Sequence, residues 1–149
     1  MNVSARIENK KGEHAVLLRT EQRKHLLAIA VKADGFGSSV NGAELLFLAL
    51  ATCYCNDIYR EAKKRGIEVE NVQVEVDGEF GGEGEAARRI NYRAAVAARA
   101  SREEILDLMR HTDSVAEIHN TLRQGMPVVL ANCEAHEVQG NSTAAVTAP

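Results

Sequence analysis

The stretch Ala43-Glu-Leu-Leu-Phe-Leu-Ala-Leu-Ala-Thr-Cys-Tyr-Cys55 limits the possible folds of this chain more than any other. From Ala43 to Ala51 every residue except Glu44 is apolar, and the run leads without Pro or Gly into Asn56-Asp-Ile-Tyr-Arg-Glu-Ala-Lys-Lys-Arg65 before Gly66. Ala, Leu, Glu, Lys and Arg are strong helix formers, Ser39 or Asn41 can cap the start, and Gly66 is a natural stop. The segment predicts one helix about 35 Å long at about 1.5 Å per residue. Its first half is apolar nearly all round, the pattern of a helix buried on every side. Its second half ends in Lys63-Lys64-Arg65, a basic run suited to a helix C-terminus and to solvent.

The flanking sequence alternates. Val3, Ala5 and Ile7 face opposite Ser4, Arg6 and Glu8, the period of a half-buried strand. A turn at Lys10–Glu13 leads to a returning strand over His14–Arg19, and a turn over Glu21–Lys24 leads to a third over His25–Val31. Ala33–Gly42 is a glycine-rich loop feeding the helix. Beyond Gly66, Val72, Val74 and Val76 alternate with polar residues, while Ile67 and Val69 are out of phase, which predicts a bulge near Glu70–Asn71. Gly78–Gly84 reads as a turn and Ile90–Ala100 as the returning strand. Ser101-Arg-Glu-Glu104 is a capping box that opens one broken helix or two short ones ending at Gly125. Met126–Val138 reads as a last strand, with Pro127 at its start. This order predicts an α+β fold, antiparallel sheets around a long buried central helix, in one domain over residues 1–139 with a flexible tail over 140–149.

Composition excludes some functions. A chain of 149 residues with a net charge of -3 and no Trp carries neither a basic footprint nor stacking platforms for nucleic acid. The apolar run is too short to span a bilayer, and the first residues do not form a signal peptide, so no membrane association and a cytoplasmic location are expected. Three cysteines in no secreted spacing point to free thiols in a reducing compartment.

Among polar residues, Cys53 is the candidate for chemistry. Its position alone leaves two roles open, a nucleophile and a packing thiol, because a cysteine reacts only where its thiolate is favoured. Cys55 is not its partner: two residues along a helix turn the side chain through about 200°. Cys133 and His136 fall on opposite faces of the predicted last strand. His111 and His119 share a face only on a continuous helix and are then about 12 Å apart, too far for one metal ion. His14, His25 and His136 have no partner spacing and read as surface or edge residues, as do the two helical histidines. No metal or cofactor is expected. The glycines at 78–84 do not open a helix after a strand, and the serines lack a His/Asp arrangement.

Asn41-Gly-Ala-Glu-Leu-Leu-Phe-Leu-Ala-Leu-Ala-Thr-Cys53 resembles the central helix of the osmotically inducible protein C / organic hydroperoxide resistance (OsmC/Ohr) family, which reads roughly Asn-Pro-x-Glu-Leu-Leu-x-Ala-Ala-Leu-Ala-x-Cys. The similarity continues through Lys64-Arg-Gly-Ile67, Val72-x-Val-x-Val76, Ile90, Ser101-x-x-Glu-Ile105 and Asn120-Thr-Leu-x-x-Gly-x-Pro-Val128. The resemblance implies an intertwined α+β homodimer with active sites at the subunit interface. It also implies a thiol-dependent reductase of small organic hydroperoxides, in which a thiolate is oxidised to sulfenic acid and resolved by a second thiol. Cys53 matches the attacking cysteine. The glutamate expected ten residues earlier falls on Ala43; Glu44, one place later, corresponds to the second acidic residue of the motif and is the candidate catalytic carboxylate, and Arg19 or Arg23 is the candidate activating guanidinium. The second cysteine belongs near Thr112–Val115, where none is present, so reduction falls to an external thiol, to Cys133 or to a partner chain. Asp113 in that region would raise the Cys53 pKa if it lay beside the sulfur. The same departures fit an alternative, a non-catalytic dimeric module that binds a small apolar ligand.

Overall fold

The computed structural model describes residues 1–136. Strands β1 (Val3–Lys10), β2 (Glu13–Thr20) and β3 (Arg23–Leu26) form an antiparallel sheet in the order β1-β2-β3. Helix α1 (Gly42–Arg65) follows, then the hairpin of β4 (Glu68–Phe80) and β5 (Ala87–Arg99), then α2 (Arg102–Val115) and α3 (Glu117–Arg123). The α+β class, the long helix and the strand–helix order as far as α3 are those expected.

The ends of α1 are set by local chemistry. Asn41 accepts from the Glu44 N–H at 2.9 Å, and the Glu44 carboxylate accepts from the Asn41 N–H at 2.7 Å, closing a capping box. At the other end Gly66 adopts φ 69°, a left-handed conformation that glycine takes without a Cβ penalty. The break between α2 and α3 falls at Ala116, whose extended backbone (φ -70°, ψ 110°) ends one helix and starts the next.

The core lies where α1 packs on β4–β5 and α2. Tyr54, Ile58, Ala62 and Leu108 are buried together, against Val72, Val74, Tyr92 and Val96 from the hairpin. Ile58 and Leu108 are fully enclosed, and each contributes about 1.5–3 kcal/mol by leaving water. The expected bulge is present: Val69 pairs with Ala98 and Asn71 with Ala97, leaving Glu70 unpaired. Gly78 is part of β4 rather than of a turn. A Cβ there would sit 2.6 Å from the Phe47 ring and 2.6 Å from the Arg89 carbonyl oxygen, so glycine lets α1 and β5 close on β4. The hairpin loop starts only at Gly81.

Three further expectations are corrected. The third strand is Arg23–Leu26, not His25–Val31, because Thr20 pairs with Arg23 across a tight turn in which Glu21 takes φ 53°. Past Leu27 only an isolated Val31–Ser38 bridge continues the pairing. Residues 126–136 form no strand: they pair with neither sheet among the described residues, and Val128 and Leu130 are 100% and 80% exposed. The tail at 140–149 lies outside the described residues. Finally, the first half of α1 is not enclosed: Leu50 is buried, but Leu48 is 57% exposed, because one sheet covers one face. The N-terminal sheet packs at most marginally on the helices and hairpin, and every residue of β1 is exposed.

Candidate active site around Cys53

Cys53 lies mid-way along α1, half-buried. Asp57 and Arg60 follow it at i+4 and i+7, on the same stripe of the helix. The Cys53 thiol donates to Asp57 Oδ2 at 3.4 Å, and Glu117 Oε2 at the start of α3 lies 4.0 Å from the sulfur. The Arg60 guanidinium spans the two acids, 2.7 Å from Asp57 Oδ1 and 3.1 Å from Glu117 Oε1. Its Nε also donates to Glu61 at 2.9 Å. Glu61 is in turn held by Lys64 at 2.8 Å and His111 at 3.3 Å.

The electrostatics at the thiol are mixed. Burial pushes the Cys53 pKa up; the backbone of Ile118 opposes this by hydrogen bonding, while the charges of Asp57 and Glu117 add to the rise. Asp57, only 4% exposed, is itself raised, first by burial and then by Glu117, against the pull of Cys53 and Arg60. Glu117 is lowered, first by its backbone hydrogen bond and then by Arg60 and Asp57, burial opposing. Within one chain the thiol is therefore held protonated at neutral pH. Cys53, Asp57 and Glu117 bring ligand-type atoms within 4.8 Å of one another. Arg60 already compensates both carboxylates, which disfavours a cation among them.

A second feature adjoins this stripe. Tyr54, Tyr92 and His119 stack in a cluster, with ring centroids 4.8 Å apart for Tyr92–His119 and 5.1 Å for Tyr54–Tyr92. His119 is 5% exposed, and neither ring nitrogen has a hydrogen-bond partner among the described residues. Burial holds its pKa below the ordinary imidazole value, so the ring is neutral. The expectation of a surface histidine is thus corrected, because α3 turns this face of the chain inward against two tyrosines. The cluster borders a cleft of about 290 Å³ lined also by Leu50, Ile90, Leu122 and Arg123.

The OsmC-like protein family model matches residues 35–131, well over half of the chain and including α1, the hairpin and both short helices. The chain belongs to the OsmC-like family. No curated protein matches it at significant similarity. Among solved structures, an OsmC-like protein from Mycoplasma pneumoniae aligns with a TM-score of 0.57 at 20% identity, over 82% of this chain and 86% of that one. An OsmC-like protein of unknown function from Vibrio cholerae gives 0.57 at 15% identity, over 81% and 93%. The organic hydroperoxide resistance protein OhrB of Bacillus subtilis gives 0.52 at 13% identity, over 84% and 93%. At these identities the likeness is one of fold.

Within this OsmC-like chain, the residues singled out from sequence are not brought together. Glu44 is on the same helix as Cys53 but about 13 Å along its axis, with its carboxylate in the capping box. Arg19 and Arg23 are exposed on β2 and β3 and make no contact with the sulfur. Asp113 binds the Tyr92 hydroxyl and Arg123 instead of approaching Cys53. Thr112, near the place of the missing cysteine, is fully buried and bonds the Leu108 carbonyl at 2.9 Å. Cys55 faces away, beside Ala51, Thr52, Asn56 and Val74, and Cys133 is exposed. The residues that do meet Cys53, namely Asp57 and Glu117, and Arg60 that holds them both, were not picked out from sequence. Asp57 and Arg60 had a legible signal, a Cys-x₃-Asp-x₂-Arg stripe on one helical face. Glu117 had none, since the break at Ala116 decides where it points.

Proposed function

We propose that the protein is a homodimeric, thiol-dependent reductase of organic hydroperoxides that uses Cys53 as its only redox-active thiol. The carrying observation is the position of Cys53: half-buried on the central helix of an OsmC-like fold, with its S–H directed at a carboxylate held by an arginine. The dimer is supported by apolar surface left uncovered in the single chain. Ile7 is 56% exposed, Leu48 57%, Val129 76% and Leu130 80%, apolar area that a second copy would remove from water. In this reading the second copy covers the first half of α1 and brings Arg19 or Arg23 beside Cys53, the cation needed to lower a thiol that one chain keeps protonated. With no cysteine near Thr112–Val115, the sulfenic acid is reduced by an external thiol.

The test is steady-state consumption of an alkyl hydroperoxide in the presence of small dithiols. Turnover that is lost in Cys53→Ser supports the reading; equal consumption by both proteins refutes it. One observation favours a second reading, a binding module without turnover: burial and two acids raise the Cys53 pKa, while the cleft beside His119 is apolar on several sides. Native mass spectrometry showing a retained small apolar molecule, together with an inert Cys53, would select that alternative.

A further inference from the structure

The side chains around Cys53 are a poor device for lowering a thiol pKa and a good one for carrying a proton. We propose that Asp57 is the proton carrier of the Cys53 reaction, taking the thiol proton before attack on an alkyl hydroperoxide and returning it to the departing alkoxide. The inference rests on the hydroperoxide reading above and assigns a second catalytic residue to it. Asp57 is 4% exposed, so its carboxylate does not exchange its proton freely with bulk water. Its two oxygens are divided: Oδ1 is fixed by Arg60 at 2.7 Å, and Oδ2 faces the thiol at 3.4 Å. Arg60 is a positioning residue: the same Nη1 that holds Asp57 lies 3.1 Å from Glu117, and its Nε is tied to Glu61 at 2.9 Å, so the guanidinium that orients Asp57 is itself held by two further acids. Glu117 is a weaker candidate for the same task, since its oxygen is 4.0 Å from the sulfur and its side chain is 64% exposed. The groups acting on the thiol are therefore Asp57, with Arg60 behind it, from α1, and Glu117 with the Ile118 backbone from α3.

The reaction balances with these groups. Asp57 carboxylate accepts the Cys53 proton, giving thiolate and carboxylic acid. The thiolate attacks the terminal oxygen of ROOH; the S–O bond forms, the O–O bond breaks, and sulfur loses the two electrons that the peroxide gains. The leaving RO⁻ takes the proton from Asp57, so the sum is Cys–SH + ROOH → Cys–SOH + ROH. Two external thiols then return Cys–SOH to Cys–SH with one disulfide and one water. Proton delivery matters because an alkoxide is a poor leaving group, and a positioned acid contributes about 10²–10⁴-fold to such steps.

Three electrophiles separate this role from a purely electrostatic or structural one. In protein carrying Cys55→Ser and Cys133→Ser, Asp57→Asn is compared with its parent on tert-butyl hydroperoxide, peracetic acid and iodoacetamide. The first leaves as an alkoxide and needs a proton; acetate and iodide do not. The expected result is a loss of about 100-fold or more on tert-butyl hydroperoxide, a small change on peracetic acid, and alkylation by iodoacetamide that is unchanged or faster, since a negative charge beside the thiolate is gone. Equal losses on all three reagents, or an unchanged hydroperoxide rate, overturn the inference. If the variant does not fold, the parent protein answers: a solvent deuterium effect on the hydroperoxide rate that is absent with peracetic acid is expected, and equal effects overturn it. Failure of the parent itself to consume hydroperoxide through Cys53 is a separate outcome that removes the functional reading before Asp57 is altered.

Discussion

Replacing Glu117 by Gln tests the electrostatic description of the thiol with a worked magnitude. Glu117 Oε2 is 4.0 Å from the Cys53 sulfur, a separation at which two unit charges interact by about 1 kcal/mol in water and about 4 kcal/mol at the effective dielectric of a protein surface. The side chain is 64% exposed, so the lower figure applies: about 1 kcal/mol corresponds to about 0.7 pKa unit, or about fivefold more thiolate below the pKa. Loss of the carboxylate also leaves the Arg60 charge less compensated, which acts in the same direction. Glu117→Gln should therefore lower the apparent Cys53 pKa and speed alkylation near pH 7. The assay is the rate of iodoacetamide labelling against pH in a Cys55→Ser, Cys133→Ser background, so that only Cys53 reports. An apparent pKa that is unchanged or higher in Glu117→Gln would refute the assignment of Glu117 as a charge that opposes the thiolate.

Two further outcomes follow from the same structure. Lys64 and Arg60, followed by His111, hold the Glu61 carboxyl down at about 2. A depressed carboxylate contributes stability above its unfolded pKa, about 4.3, and loses it as pH falls toward the folded value. Denaturant midpoints should thus drop between about pH 4.3 and pH 2, and less steeply in Glu61→Gln; parallel profiles would contradict the network. Gly78→Ala places a methyl 2.6 Å from both the Phe47 ring and the Arg89 carbonyl and should cost about 1–3 kcal/mol as an overpacked contact, read as a lower denaturation midpoint. A variant as stable as the parent would show that α1 and the hairpin separate freely there.

The parts of the fold written in local chemistry were legible in the sequence. The cap at Asn41, one of the two residues offered for it, the capping box at Ser101–Glu104, the stop at Gly66 and the bulge at Glu70 are each determined by a few neighbouring residues, and the structure has all of them. What was misread depends on distant partners. Residues 126–136 have strand-forming side chains but pair with neither sheet among the described residues, and the apolar half of α1 is left partly uncovered there. His119 looked like a surface residue because its neighbours Tyr54 and Tyr92 are 65 and 27 positions away and reach it only through the turn at Ala116. At the site, Cys53 itself was legible from the helix pattern. Its surroundings were partly hidden: Asp57 and Arg60 share its helical face, but Glu117 arrives from a separate helix, and Glu44 is engaged in the cap it forms with Asn41.

The central claim is that Cys53 is oxidised by organic hydroperoxides. One equivalent of cumene hydroperoxide, added to reduced protein in the presence of dimedone, should place a dimedone adduct on the Cys53 peptide and release cumyl alcohol in equal amount. Unmodified Cys53 beside unconsumed hydroperoxide would contradict the account.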